Sequence, residues 1–157
     1  MGVLSDSVQD LVRRVKLGFA ATVNPDGTPN LSPKGTTTVF DADHLVFADI
    51  ESPGTVRNLW GNPAIEVNVV DPFARKGYRF KGRAEVVTSG QRFEQAMAMF
   101  RSAGLRSPVR TVVIIRVEKV LPLISPGYAA GHITEAEMRE RWIRYYTSLD
   151  ASSPSDG

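Results

Sequence analysis

Three groups of residues in the sequence carry side chains suited to holding an anion. The first is Ser52-Pro53-Gly54-Thr55, with Arg57 just beyond it. Ser-Pro is a helix-start signal, because the serine oxygen can accept from first-turn amides and proline at the first helical position gives up no needed donor. Free amides at a helix tip, two hydroxyls, a glycine that admits close backbone approach and a fixed cation would together hold a phosphate. An ordinary capped helix with a surface arginine has the same residues. The second group is Ser32-Pro33-Lys34-Gly35-Thr36-Thr37-Thr38, rich in hydroxyls and carrying one lysine. Threonine suits strands, so an exposed strand accounts for this segment as well as a binding role does. A turn signal at Asp41-Ala42-Asp43-His44 folds it back against Leu45 to Ile50, whose end leads directly into Ser52. The two groups should therefore converge.

The third group is Arg75-Lys76-Gly77-Tyr78-Arg79-Phe80-Lys81-Gly82-Arg83, five basic residues in nine with no acid among them. Without it the chain would hold fourteen basic against seventeen acidic residues, a charge of −3 in place of +2, so this segment alone makes the chain basic. Strand alternation puts Arg79, Lys81 and Arg83 on one face. That face is either solvated or a wall for an acidic ligand; single-stranded nucleic acid is a weaker choice, because the overall charge is too small to support it.

Other chemistries drop out. The chain has no cysteine, which removes disulfides, thiolate metal sites and thiol nucleophiles. His44 and His132 have no partners at metal-ligand spacing, and no metal site is expected. No phosphate-binding Walker loop, nucleophile elbow or dinucleotide glycine pattern occurs. Trp142 with Tyr145 and Tyr146 reads as helix packing in preference to a cofactor clamp.

The elements that would position these groups follow from periodicity. Val8, Leu11, Val12 and Val15 recur on one face of a helix that Ser5 would cap and Gly18 would end. Phe19 to Val23 and a second strand from Asn30 past Lys34 to Phe40 flank the turn Asn24-Pro25-Asp26-Gly27. Leu45 to Ile50 returns as a third strand. A short helix runs from Ser52 to before Asn62-Pro63, Ile65 to Val70 alternates as a strand, and a long strand spans Tyr78 to Val87. Phe93, Ala96, Met97 and Phe100 have helical spacing, and Val109 to Val120 is a buried strand. A loop marked by Pro122, Pro126, Gly127 and Gly131 leads to a capping box, Thr134 with Glu137, and a final helix. About six strands in hairpin order, with helices between and at the ends, suit a mainly β, antiparallel small barrel and disfavour a doubly wound nucleotide fold.

Residues 1–150 are expected to form a single domain, with a disordered tail over 151–157. Charges interrupt every apolar run before about 18 residues, and no secretory pattern opens the sequence, so a cytoplasmic protein that engages no membrane is expected.

From Phe19 to Val120 the order of segments resembles the pyridoxamine 5′-phosphate oxidase-like family of flavin-binding split barrels. The matching pieces are the hairpin Asp26-Gly27-Thr28-Pro29, the strand Ser32 to Phe40, Leu45-Val46-Phe47-Ala48-Asp49, the helix Ser52 to Leu59 with Asn62-Pro63, and Gly77 to Glu85. The resemblance implies a six-stranded split barrel and a homodimer, with flavin mononucleotide (FMN) at the subunit interface. It implies that Lys34, Gly35, Thr36 and Thr37 line the cofactor, that Phe47, Ala48 and Asp49 lie beside its ring or ribityl chain, and that Ser52 and Thr55 take its phosphate. Arg57 would add positive charge, and Arg79 or Lys76 would reach in from the partner chain. The implied activity is flavin-mediated hydride or electron transfer to or from a small molecule. A deazaflavin-dependent reductase, or a flavin or haem carrier or sensor without turnover, are the alternatives. Ser32, Thr37 and Gly54 stand where the true oxidases carry basic residues, which weighs against pyridoxamine phosphate itself as substrate.

Overall fold

The amphipathic stripe read from Val8 to Val15 forms α1 (Asp6–Val15), which buries Val8 and Val12 against the sheet. The computed structural model describes residues 2–151; of the expected tail, Ala151 closes the last helix and 152–157 lie outside the described residues. Ser5 makes no capping bond, its hydroxyl meeting Ser7 Oγ at 3.1 Å. The chain leaves α1 at Lys16, whose left-handed φ of 57° ends the helix before Gly18.

Strand β1 (Gly18–Val23) turns at Asn24–Gly27 into β2 (Pro29–Lys34). The strand expected to continue to Phe40 is broken. Thr37 donates both its N–H (3.2 Å) and its hydroxyl (2.8 Å) to the Lys34 carbonyl, closing a turn across Gly35 and Thr36. Side-chain to backbone bonding of this kind competes with strand ladders. The residues beyond form a separate short strand, β3 (Thr38–Val39), against β4 (His44–Asp49). The sheet accordingly has seven strands where six were expected.

The chain then runs through α2 (Pro53–Gly61), β5 (Ala64–Asp71), β6 (Lys76–Val87), α3 (Gln91–Ser102), β7 (Thr111–Ile124), α4 (Pro126–Ala129) and α5 (Glu135–Ala151). Strand order is β2-β1-β5-β6-β7-β4-β3, antiparallel throughout. The sheet curls without closing, which is the split barrel. β7 extends beyond Val120, because β6 and β7 stay paired to Lys76 and Ile124, so Pro122 lies in the ladder opposite Tyr78.

One face of β4 and β7, with Leu45, Phe47, Val113 and Ile115, joins Val67, Val69, Phe80 and α1 in the main core. The opposite face, with Val46, Ala48, Val112 and Ile114, packs under Ala96, Met97 and Phe100 of α3. Burial on both faces explains why Leu45–Ala48 and Val112–Ile115 are unbroken apolar runs, where β5 alternates.

Gly77 marks the tightest approach in the β5–β6 hairpin: a Cβ there would lie 2.1 Å from the Val69 carbonyl oxygen. That atom is backbone and cannot swing aside. Gly77→Ala is expected to cost about 3 kcal/mol or prevent folding, measured as a loss of soluble protein or of denaturant midpoint.

The C-terminal module grips the loop after β5. The Tyr128 hydroxyl donates to the Ala74 carbonyl at 2.6 Å, and the Arg75 guanidinium lies 3.6 Å over the Trp142 ring. Thr134 and Glu137 form the expected reciprocal cap, with the Thr134 N–H donating to Glu137 Oε2 at 2.7 Å and the Glu137 N–H to Thr134 Oγ1 at 3.2 Å.

Candidate functional site

The turn at Asp41–His44 carries the chain from β3 into β4, and β4 delivers it to α2. The hydroxyl-rich strand and the helix start consequently meet. Ser32 Oγ of β2 lies 3.5 Å from Ser52 Oγ, and Lys34 Nζ donates to Ser32 Oγ at 2.9 Å. Lys34 is only 4% exposed, with its ammonium 5.6 Å from the centre of the Phe47 ring. Burial lowers its pKa below the ordinary lysine value, while the charge of Asp49 pulls in the opposite direction. A protonated lysine can only donate. The Ser32 hydrogen is then free for Ser52, whose own hydrogen can point outward, an arrangement that the buried cation favours and in which both hydroxyls donate.

Ser52 does not cap its helix as expected. Its hydroxyl makes no capping bond, and its N–H donates instead to Asp49 Oδ1 at 3.0 Å. Of the first helical residues, Pro53 has no N–H and Thr55 donates to the Ser52 carbonyl at 3.1 Å. The helix tip thus offers fewer free amides than the sequence suggests, and the side chains matter more.

Beside the tip is a cavity of about 570 Å³, within the range of small-molecule sites. Asp49, Ser52 and Arg57 line it, joined by the exposed Trp60 and by Arg110 at the entry to β7. Arg57 and Arg110 form no ion pair among the described residues. The pairing of Asp49 with Thr111 brings Arg110 here, and nothing local in the sequence marks it. Ser32 belongs to the hydroxyl-rich segment, but the family resemblance assigns it no cofactor contact. Two unpaired guanidiniums and an oriented hydroxyl suit a phosphate-bearing ligand, so the donor set fits the terminal phosphate of a flavin nucleotide. Among the described residues no group of three or more His, Asp or Glu side chains is placed to hold a metal.

The remaining expected residues divide. Gly35, Thr36 and Thr37 form the β2–β3 turn and line a second cavity, against α3. Phe47 and Ala48 lie in β4 with side chains buried on opposite faces, so only their backbone could touch a ligand. Thr55 is 2% exposed and does not line the cavity at the helix tip.

The basic strand is not brought to this place. Strand order puts β7 between β6 and β4, and β1 and β5 between β2 and β6. Arg79 and Lys81 both pair with Glu66, at 2.9 and 3.3 Å. Lys76 Nζ lies 3.0 Å from Glu135 of α5 and 4.4 Å from the centre of the Tyr128 ring. Arg79 stands on the outer sheet face in register with Asn68 and Phe19, and there Phe19 and Leu31 are 42% and 66% exposed. No helix among the described residues is long and apolar enough to cross a membrane.

Comparison with known proteins supports the family and the fold. The family model described as pyridoxamine 5′-phosphate oxidase matches residues 4–123. The crystal structure of HupZ from Group A Streptococcus is similar at 32% identity and a TM-score of 0.69, covering 77% of this chain and 94% of that one. A proposed pyridoxamine 5′-phosphate oxidase from Lactobacillus delbrueckii is similar at 25% identity and a TM-score of 0.61, with 75% and 93% covered. An FMN-binding protein from Syntrophomonas wolfei shares the fold at 15% identity and a TM-score of 0.65, with 76% and 85% covered. Among curated proteins nothing matches the chain. Helices α4 and α5 lie beyond the matched residues.

Proposed function

The chain belongs to the pyridoxamine 5′-phosphate oxidase-like family of flavin-binding split barrels, and from that premise we propose that it is a homodimeric FMN-dependent oxidoreductase acting on a small molecule. The observation that carries the reading is the convergence of Lys34, Ser32 and Ser52 beside a cavity flanked by Arg57 and Arg110. FMN, when bound, would supply the hydride or electron transfer. The protein's part is positional. Ser52, Arg57 and Arg110 would hold the phosphate, Lys34 would order Ser52 from behind, and the β4 backbone at Phe47–Asp49 and the Gly35–Thr37 turn would flank the rest of the cofactor. No side chain is assigned as a general acid or base.

A second copy is supported by the apolar strip of Phe19 and Leu31 on the outer face of β1 and β2. Arg79 borders that strip and is the candidate to reach a cofactor in the partner; Lys76, held by Glu135 and Tyr128, is the less available of the two.

The test compares FMN with riboflavin, which lacks the phosphate. Arg57→Ala is expected to weaken FMN binding about tenfold and riboflavin hardly at all, read by quenching of flavin fluorescence on titration into flavin-free protein. Equal losses for both ligands, or protein that takes up neither, would refute the assignment.

A further inference from the structure

The cavity between the β2–β3 turn and the end of α3, about 370 Å³ in volume, is lined by Gly35, Thr36 and Thr37, the turn proposed above to flank the cofactor, and has no lining residue in common with the cavity at the α2 tip. Its far side is built by Met99, Phe100, Ala103 and Leu105. The two threonine hydroxyls in the wall are already engaged. Thr37 Oγ1 donates to the Lys34 carbonyl at 2.8 Å, and Thr36 Oγ1 accepts from the Ala48 N–H at 2.8 Å and lies 3.4 Å from the Ala48 carbonyl. Their hydrogen-bonding capacity is largely spent inside the protein, so the wall is effectively apolar. The end of α3 is closed in the same way, with the Ala103 N–H on the Met99 carbonyl and the Leu105 N–H on the Phe100 carbonyl, both at 3.0 Å. A single cation, Lys16, stands at the rim, and it forms no ion pair among the described residues.

We infer that this cavity is the substrate site and takes an uncharged, largely apolar ring compound with a carbonyl oxygen that the Lys16 ammonium can reach. A phosphate ester is the wrong chemistry here, because a dianion needs several free donors or a buried countercharge and the cavity offers one exposed lysine. Its volume is at the small end of ligand sites, enough for one or two fused rings. The designation as substrate side rests on the flavin reading, which sets the Gly35–Thr37 turn beside the cofactor; binding in the cavity does not.

Menadione is a suitable probe of this class, because the chain has no cysteine for the quinone to alkylate. Calorimetric titration of flavin-free protein is expected to show menadione binding at least tenfold tighter than pyridoxine 5′-phosphate. Ala103→Trp, which places a large side chain at the wall, should weaken menadione at least tenfold and leave FMN affinity unchanged. Lys16→Gln should weaken menadione about two- to fivefold. The inference is overturned if pyridoxine 5′-phosphate binds as well as menadione, or if Ala103→Trp leaves menadione unaffected. FMN uptake without menadione binding defeats this inference alone; menadione binding without FMN uptake defeats the flavin reading and, with it, the designation as substrate side, leaving the apolar binding site standing.

Discussion

Replacing Asp71 with alanine is expected to cost about 3–5 kcal/mol, a fall of roughly 10 °C in melting temperature for a domain of this size. Asp71 is 4% exposed and its two oxygens serve different parts of the fold. Oδ1 accepts from the Phe73 and Ala74 N–H groups, both at 3.0 Å, fixing the turn after β5. Oδ2 meets Arg139 of α5 at 2.8 Å and Arg14 of α1 at 3.5 Å. One carboxylate thus joins the hairpin to both terminal helices, and its removal strands two amides and leaves Arg139 with Glu135 alone among its described acidic partners. Burial alone would raise its pKa, but the Ala74 and Phe73 amides and Arg139 hold it below the ordinary aspartate value. A folded-state pKa below the unfolded one means stability that is fully present above the unfolded value of 3.8 and is lost as pH falls through the folded value. The difference in stability between wild type and Asp71→Ala, followed by denaturant melts from pH 7 downward, should therefore hold to about pH 4 and then shrink. A difference that stays constant to pH 2 would contradict the role given to the ionised carboxylate.

Lys34→Met is expected to change binding and stability in opposite directions. FMN affinity should fall by about 10- to 100-fold, because Ser52 loses the cation that orders it behind the phosphate, while the melting temperature rises by a few degrees. The rise comes from relieving a buried ammonium whose one hydrogen-bond acceptor among the described residues is the Ser32 hydroxyl. Because burial depresses the lysine pKa, the unfolded chain binds more protons than the folded one between that depressed value and 10.5, and wild-type stability climbs with pH across the interval. The advantage of the methionine variant should be full at neutral pH and fade as pH rises through the same interval. A variant that binds FMN normally would leave Lys34 a structural residue. One that binds poorly and is also less stable would show that the cation supports the fold.

The sequence patterns located most of the framework, and the places where they failed share a cause. Periodicity locates α1 and β5, the Ser52-Pro53 start signal locates α2, and the turn at Asp41–His44 locates β4 and joins the hydroxyl-rich segment to the helix at Ser52. It did not find the break after Lys34, because a threonine that suits a strand also closed a turn by donating its hydroxyl to a carbonyl three residues back. Ser52 and Arg57 could be nominated from local residue types and Asp49 from the family resemblance, whereas Arg110 reaches the same cavity only through the β4–β7 pairing. Phe47 and Ala48 sit beside the site in sequence, but two-sided packing of β4 leaves only their main chain to face a ligand. The run of positive charge from Arg75 to Arg83 gave no hint of how it is spent. Its neutralising partners, Glu66 and Glu135, and its ring partner Trp142 come from other elements.

The unclosed sheet has a consequence for how copies of this protein can meet. Its two outermost strands are β2, which carries Pro29 and Pro33, and β3, which is two residues long. Proline supplies no N–H to a neighbour, and two residues are too few to template another strand. Association by continuing the ladder from molecule to molecule is therefore blocked at both ends. Self-assembly must proceed through side chains on broad surfaces, a geometry that favours a closed pair over a growing fibre.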